Sequence, residues 1–225
     1  MGPVLVTDDP KRAETAKLPV IGVGLDFRGN AALVVEDAHD LTPELLEKTA
    51  RRALHLPVTI AVTKRLILRE MTEDETGLLD ALDEAVASRF TGPNEYHGLT
   101  RAEIHDKFAA YRNWAYEMLE MGLYLVFRRS DGRLIGRAGF STGDFDGTPV
   151  MLSYEIVREE RGKGYASEAV SALLDYARGM GIGELCILTS PENAASRAIA
   201  LRSGFLPCGF RDGKEKFLMI FHKPS

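Results

Sequence analysis

The stretch of sequence that decides the fold reads Tyr154-Glu155-Ile156-Val157-Arg158-Glu159-Glu160-Arg161-Gly162-Lys163-Gly164-Tyr165-Ala166-Ser167-Glu168-Ala169. Its first part continues an apolar run that begins at Val150 and predicts a strand, and its last part opens a helix predicted from about Ser167 to Met180. A glycine-bearing loop separates the two. The first amides of a helix have no partner within the helix, and the helix dipole is positive there. A strand, a glycine loop and a helix in direct succession therefore predict a pyrophosphate site.

The composition of the loop supports this prediction. Gly162, Gly164 and Ala166 carry little or no side chain, so a diphosphate can approach the backbone closely. Arg161 and Lys163 add positive charge to the same loop. Glu159 and Glu160, just before it, are predicted to be solvated turn residues.

Two common phosphate-binding loops do not fit the same residues. A dinucleotide-binding loop has a third glycine three positions after the second, where this chain has Ser167. Ser130-Asp131-Gly132 also predicts a tight hairpin between the preceding strands, which indicates antiparallel pairing. A Walker loop requires Ser or Thr after Gly-Lys, and Gly164 stands there.

The loop resembles the coenzyme A signature of the GNAT acetyltransferase superfamily, which is Arg or Gln, two residues, Gly, one residue, then Gly or Ala. Arg161, Gly164 and Ala166 match that signature. Two downstream features of the superfamily also match, the run Asn193-Ala194-Ala195-Ser196 and the pair Gly204-Phe205. Three separated features in the right order make the resemblance far more specific than the loop alone.

Within the superfamily, the branch that acetylates N-terminal amines of ribosomal proteins is the most similar. Its first strand reads Thr-x-Arg-Leu-x-Leu-Arg, and Thr63-Lys64-Arg65-Leu66-Ile67-Leu68-Arg69 fits that pattern. The resemblance covers about residues 59–225 and implies an α+β fold, in which a mixed, mostly antiparallel central sheet is flanked by helices. Periodicity predicts two helices before the central strands, over Glu73–Ser88 and Arg101–Met121.

The first part of the chain is predicted to be a separate, small α/β unit, which gives domains at 1–57 and 58–225. Its order of strand, helix, strand, strand and helix loosely resembles the closing half of a haloacid-dehalogenase-type domain. Asp8 and Asp9 could then be remnants of an acidic site, although capping of the helix that begins near Pro10 explains them better. A phosphatase or phosphotransferase is the function this unit would suggest, and we expect no such activity.

The resemblance assigns the cofactor, acetyl-CoA, to particular residues. The backbone of Ile156 and Val157 would pair with the pantetheine arm, and the Asn193 side chain would bond to the pantetheine. The backbone amides expected to hold the pyrophosphate are those of Arg161, Gly162, Lys163, Gly164, Tyr165 and Ala166.

The chemistry of amide formation requires a base for the amine and an acid for the departing thiolate. Many superfamily members use a tyrosine as the acid, but the matching position here is Ala200. The ribosomal-protein branch instead places a serine three residues after the asparagine, which implies Ser196 as the thiolate partner, with a helix-capping hydroxyl as the alternative. Glu155 is the candidate base, and a solvent-facing glutamate is its alternative.

The overall composition argues against several classes of binding partner. The 225 residues carry a net charge of −5, which argues against a general affinity for nucleic acid. No apolar run reaches membrane-spanning length, and the N-terminus does not read as a signal peptide. The two cysteines form no metal-ligand pattern, so we expect no metal and a cytoplasmic location.

The predicted function is therefore transfer of acetyl from acetyl-CoA to a primary amine. A catalytically silent acyl-CoA-binding or sensor module is the alternative. The sequence leaves the acceptor open among a peptide N-terminus, lysine, an aminoglycoside and a small polyamine. It also leaves the oligomeric state open, with a homodimer as one option.

Overall fold

The computed structural model describes residues 3–86, 95–141 and 150–220. The chain divides into two compact units, Met1–Val58 and Thr59–Ser225. The elements of the first unit are β1 (Leu5–Thr7), α1 (Pro10–Glu14), β2 (Val20–Val23), β3 (Leu33–Val35) and α2 (Pro43–Ala53).

The first unit is a parallel sheet of three strands in the order β1-β2-β3. Its first helix begins where the sequence predicts. The carboxylate of Asp9 accepts a hydrogen bond from the amide of Lys11 at 2.9 Å, and Pro10 occupies the first helical position. Asp9 therefore acts as a helix cap in this structure.

The second unit contains eight strands and four α-helices among its described residues. In chain order they are β4 (Thr59–Val62), β5 (Leu66–Arg69), α3 (Leu78–Val86), α4 (Arg101–Tyr111), β6 (Leu123–Arg128), β7 (Leu134–Ser141), β8 (Val150–Ile156), α5 (Tyr165–Gly179), β9 (Glu184–Thr189), α6 (Ala194–Arg202), β10 (Leu206–Arg211) and β11 (Lys214–Ile220).

These strands form one sheet in the order β10-β11-β9-β8-β7-β6-β5-β4. Every neighbouring pair is antiparallel except β8 and β9, which are parallel and joined through α5. The predicted α+β class with a mixed, mostly antiparallel sheet is confirmed. The buried face of α5, formed by residues such as Val170 and Leu173, packs into the core beside the central strands.

Three elements differ from the predicted ones. The edge strand β4 was not predicted, because it is short and is held in place by pairing with β5 rather than by its own pattern. The helix predicted over Glu73–Ser88 begins later, since Glu73–Glu75 form a 3₁₀ turn that is closed by a capping box between Thr72 and Glu75. Residues 87 and 88 lie outside the described part of the chain.

The third difference concerns the helix predicted over Arg101–Met121. It is α-helical only as far as Tyr111, after which Arg112–Met118 form a π-helix. The wider turn carries Tyr116 into the core, where its hydroxyl donates to the carbonyl of Leu123 at 2.5 Å. A π-helical segment of this kind is rare and occurs frequently near functional sites.

The parallel pair at the centre of the sheet separates soon after it forms. β8 and β9 pair at Val150↔Leu185 and Met151↔Cys186. Beyond these two positions β8 runs on to Ile156 and β9 to Thr189, and the described residues show no further pairing between them. The sheet is therefore open between these two strands beyond Met151, a gap that we call the cleft, and α5 follows the end of β8 in the chain.

Candidate active site

The glycine loop presents free backbone donors at the start of α5. Gly162 and Gly164 have φ angles of 75° and 82°, in the left-handed region that glycine adopts without strain. A Cβ atom placed on Gly162 would meet nothing within 4 Å, so the space in front of the loop is open. Within the described part of the chain, the amides of residues 162–167 have no hydrogen-bond acceptor. The loop can therefore bind an anion such as a diphosphate.

Arg161 fastens the loop to its surroundings. Its Nε donates to the carbonyl of Ile156 at 3.1 Å, and a terminal nitrogen donates to the carbonyl of Val86 at the end of α3. Its own amide donates to the carbonyl of Arg158 at 3.4 Å. The sequence suggested that Arg161 adds charge for a ligand, but its guanidinium bonds to protein carbonyls instead.

The prediction that Glu160 is a solvated turn residue is wrong. Its side chain is 4% exposed and binds Arg128 and Lys163, each at 2.8 Å. These cations hold the pKa of Glu160 below its ordinary value: the bond from Lys163 lowers it most, burial opposes it, and the bond from Arg128 lowers it further. Glu159 is exposed and pairs with Arg133 at 2.9 Å. Lys163 is therefore paired within the protein, with half of its side chain accessible.

A clamp formed by Thr63, Arg65 and Glu168 joins the first turn of α5 to the segment before β5. One oxygen of Glu168 accepts from the Thr63 hydroxyl at 2.6 Å and from the Arg65 amide at 2.9 Å. The other accepts from the Arg65 Nε at 2.6 Å. Burial alone would raise the pKa of Glu168, but these bonds outweigh it and lower the pKa below its ordinary value.

Arg65 also reaches the cofactor loop. A terminal nitrogen donates to the carbonyl of Lys163 at 2.9 Å, and the guanidinium lies 4.6 Å from the ring centre of Tyr165. Sequence reasoning used Arg65 only as a family marker and did not assign it to the site. The recurring Thr-x-Arg pattern was the available signal.

The free edge of β8 faces the cleft. The amide of Val157 donates to the carbonyl of Ile135 on the β7 side at 2.9 Å. Because successive residues of a strand direct their backbone groups to opposite edges, the amide and carbonyl of Ile156 point toward the cleft. The resemblance assigned the backbone of both Ile156 and Val157 to pantetheine. The amide of Val157 bonds within the sheet and the carbonyl of Ile156 accepts from Arg161, so the amide of Ile156 is the group that the strand edge offers an extended ligand.

Ser196 lies at the start of α6 and contacts a residue that sequence analysis did not assign. Asn193 caps this helix, its side-chain oxygen accepting from the Ser196 amide at 3.1 Å. The Ser196 hydroxyl lies 2.9 Å from the hydroxyl of Tyr154 on β8. Burial raises the pKa of Tyr154, while the bond to Ser196 and the charge of Arg202 act in the opposite direction. A tyrosine hydroxyl is thus present at the site, although Ala200 occupies the position where the superfamily pattern expects one.

A cavity of about 390 Å³ lies beside β8. Apolar and aromatic side chains form most of its wall, and the polar groups that line it include Glu95, Arg137 and Tyr154. The full set of described lining residues is Met71, Leu79, Glu95, Tyr96, Tyr111, Leu123, Arg137, Phe140, Ser141, Ser153, Tyr154 and Glu155. Such a cavity can hold a small organic group beside Tyr154.

Glu155, the predicted base, lines this cavity and is bound to Arg137. The Arg137 Nε donates to a Glu155 oxygen at 2.7 Å, and both side chains are largely buried. The Arg137 guanidinium therefore occupies one face of the carboxylate that a base would use. Its assignment stays a prediction.

Comparison with known proteins adds the family. Residues 65–206 match a family model described as the acetyltransferase (GNAT) domain, which spans more than half of the chain. The chain belongs to the GNAT acetyltransferase family. The family predicted from the glycine loop and its downstream partners is confirmed.

Relatives of this GNAT chain carry acetyltransferase names. An uncharacterized N-acetyltransferase, YoaA of Bacillus subtilis (strain 168), is 28% identical over 152 residues, covering 65% of this chain and 82% of that protein. The structure of a putative ribosomal-protein-serine acetyltransferase from Vibrio cholerae matches with a TM-score of 0.52 and 27% identity, covering 72% of this chain and 97% of its own.

The structure of RimL, a ribosomal L7/L12 alpha-N-protein acetyltransferase in complex with coenzyme A, matches with a TM-score of 0.59 and 21% identity. It covers 72% of this GNAT chain and 98% of that one, and shows the shared fold. Neighbours of this kind agree with the predicted ribosomal-protein branch. Among the described residues, no helix is both long and apolar enough to cross a membrane.

Proposed function

We propose that the second unit transfers an acetyl group from acetyl-CoA to a primary amine. The observation that carries the proposal is that three features adjoin β8: the free amides at the start of α5, which follows β8 in the chain, the cleft between β8 and β9, and the cavity lined by residues 153–155. A diphosphate at the first feature and an extended chain along the second would direct a thioester toward the third. The relatives named for N-acetyl transfer support the same reading.

The residues present suit this cofactor. The amides of residues 162–167 would hold the diphosphate, and Lys163, although paired with Glu160, keeps half of its side chain accessible beside them. The amide of Ile156 and the side chain of Asn193 would bond to the pantetheine. Acetyl-CoA, when bound, supplies an acetyl group activated as a thioester.

Acetyl transfer requires two proton transfers, which we assign to residues near the cavity. As the amine nitrogen forms a bond to the carbonyl carbon and the carbon–sulfur bond breaks, the amine must lose a proton and the sulfur must gain one. We assign proton donation to the Tyr154 hydroxyl, which Ser196 orients and can resupply across their 2.9 Å contact. We assign removal of the amine proton to Glu155. The proton would pass through a water molecule, because Arg137 is bound to the Glu155 carboxylate.

The test is thiol release from acetyl-CoA with chemically diverse amines, namely peptides with different N-terminal residues, lysine, an aminoglycoside and a polyamine. Acetylated product with any of them supports the transferase. Calorimetric binding of coenzyme A without thiol release for any acceptor would instead identify an acyl-CoA-binding module. Absence of both would contradict the assignment of the loop.

The acceptor is proposed only as a class. The names of ribosomal-protein acetyltransferases among the structural neighbours make peptide N-termini the first acceptors to test. A cytoplasmic location stays a prediction from the sequence.

A further inference from the structure

A single arginine lies between two carboxylates in the wall of the cavity. The Nε of Arg137, on β7, donates to Glu155 at 2.7 Å, and a terminal nitrogen lies 3.0 Å from an oxygen of Asp83 on α3. The three side chains are 13%, 16% and 23% exposed. Arg137 is thus bound by carboxylates from two different elements, β8 and α3.

Among the lining residues that the structure describes, this arrangement leaves an excess of negative charge. Arg137 is the only cation among the described lining residues, and two carboxylates share its one positive charge. Glu95 contributes a further carboxylate to the lining, and Lys107 neutralises it from outside at 3.2 Å. Arg137 and Glu155 line the cavity, and Asp83 binds Arg137 without belonging to the lining. Together the three side chains carry one excess negative charge.

This negative charge acts on any charged ligand in the cavity over a short distance. An ammonium group would be attracted to the wall and a carboxylate repelled, and burial strengthens both effects because screening by water is weak. Arg137 offsets the repulsion only in part, since Asp83 and Glu155 already share its single positive charge. The remaining walls, with Tyr96 and Phe140, favour an apolar or aromatic group.

We infer that the acceptor is an amine with no carboxylate next to its nitrogen, such as a simple amine or a peptide N-terminus, and that free amino acids are excluded. The inference rests on the proposed acetyl transfer and adds the class of acceptor. The Asp83–Arg137–Glu155 group is its structural basis.

The experiment compares two probes, 2-phenylethylamine and L-phenylalanine, which share the aromatic ring and differ by one carboxylate. Their amines have similar basicity, so the ratio of the two kcat/KM values reports on the carboxylate. We expect the ratio to favour 2-phenylethylamine by about tenfold or more, as one unscreened like-charge contact implies.

Variants test whether the charge group sets this ratio. Asp83→Asn removes the excess charge and should reduce the ratio by about threefold or more, and Glu155→Gln should reduce it in the same direction even if it slows both reactions. Asp175→Asn is the matched control, because Asp175 is an exposed aspartate of α5 paired with Arg178, and the ratio should not change.

The outcomes separate this inference from the proposed function. Acetylation of both probes with L-phenylalanine equal or preferred would overturn the acceptor class while leaving acetyl transfer intact. An unchanged ratio in both Asp83→Asn and Glu155→Gln would overturn the role of the charge group. Absence of product with every amine tested, these probes included, would overturn both the inference and the proposed function.

Discussion

The hydroxyl of Tyr154 lies 2.9 Å from the Oγ of Ser196, although the two residues are 42 positions apart in sequence. Tyr154 comes from the diverging part of β8 and Ser196 from the first turn of α6, so the pair spans the cleft between β8 and β9. The hydroxyl of Tyr154 also lies within bonding distance of the Ser196 carbonyl, at 3.2 Å. The two side chains therefore act as one hydrogen-bonded unit.

Tyr154→Phe should lower kcat by about a hundredfold if this unit protonates the departing thiolate, because that is the usual contribution of a positioned general acid. Ser196→Ala should lower kcat less, and the double variant should be no slower than Tyr154→Phe, since the two residues serve one step. Calorimetric affinity for coenzyme A should be unchanged.

Tyr124→Phe provides the control for this series. Tyr124 is a buried core tyrosine whose hydroxyl donates to the carbonyl of Glu120 at 3.2 Å, outside the cavity wall. The Tyr124→Phe variant should have the kcat of the wild type. Wild-type turnover in Tyr154→Phe would show that the hydroxyl only packs against α6.

The pH profile of turnover should reflect the burial of Tyr154. Burial raises the pKa of this hydroxyl above the ordinary value of 10.0. An acid acts only while protonated, so activity is lost as pH rises through the raised pKa. We expect kcat at saturating amine to hold from neutral pH past pH 10, and to fall only at higher pH. Ser196→Ala removes a bond that lowers this pKa, and should shift the fall to higher pH.

Gly164→Glu should weaken binding of coenzyme A by at least about a hundredfold, because it places a carboxylate at the mouth of α5 and requires a left-handed backbone. Gly213→Glu is the matched control. Gly213 has a φ of 74°, close to the 82° of Gly164, and lies in the β10–β11 turn. Gly213→Glu therefore introduces the same charge and the same backbone strain, but outside the glycine loop before α5. Equal affinity of both variants for coenzyme A would exclude the loop as the diphosphate site.

Arg161→Ala should lower both stability and affinity for coenzyme A. The guanidinium bonds to the carbonyls of Ile156 and Val86, and loss of such bonds destabilises by about 1–2 kcal/mol. The loss of affinity should change little with salt, because the side chain supports the loop rather than contacting the diphosphate. Arg158→Ala, which removes an exposed arginine of the same segment, should change neither quantity. A steep dependence on salt would show that Arg161 binds phosphate directly.

The sequence predicted those parts of the site that depend on local order. The loop from Arg161 to Gly164 and the start of α5 follow from glycine positions and helical periodicity within one continuous stretch. The contacts that the sequence missed join distant positions. Glu160 was predicted to be solvated because its partner Arg128 lies 32 residues earlier, and Tyr154 was not singled out because no periodicity shows which helix covers β8.

In the fold as well, elements set by local sequence were predicted, and elements set by contacts between distant residues were missed. Strand β4 and the π-helix Arg112–Met118 were missed, because the first depends on pairing with β5 and the second on the burial of Tyr116. The helical pattern of residues 101–121 is compatible with an unbroken α-helix, and tertiary packing decides against it.

Glu168→Gln should destabilise the second unit by about 2 kcal/mol near neutral pH, because it removes the charge that accepts bonds from Thr63 and Arg65. The pKa of Glu168 in the folded protein lies below its ordinary value of 4.5. A carboxylate with a lowered folded pKa stabilises the protein above its ordinary pKa and loses this effect as pH falls through the folded value. The gap in unfolding free energy between wild type and Glu168→Gln should thus be largest near neutral pH, and should shrink below pH 4.5 as pH falls through the lower folded pKa. Denaturant unfolding at several pH values measures this gap.

Glu184→Gln is the control for this prediction, because Glu184 is an exposed glutamate that begins β9. It should show no gap at any pH. A Glu168→Gln gap that persists unchanged into acid would mean that the clamp depends on shape and not on the charge of the carboxylate.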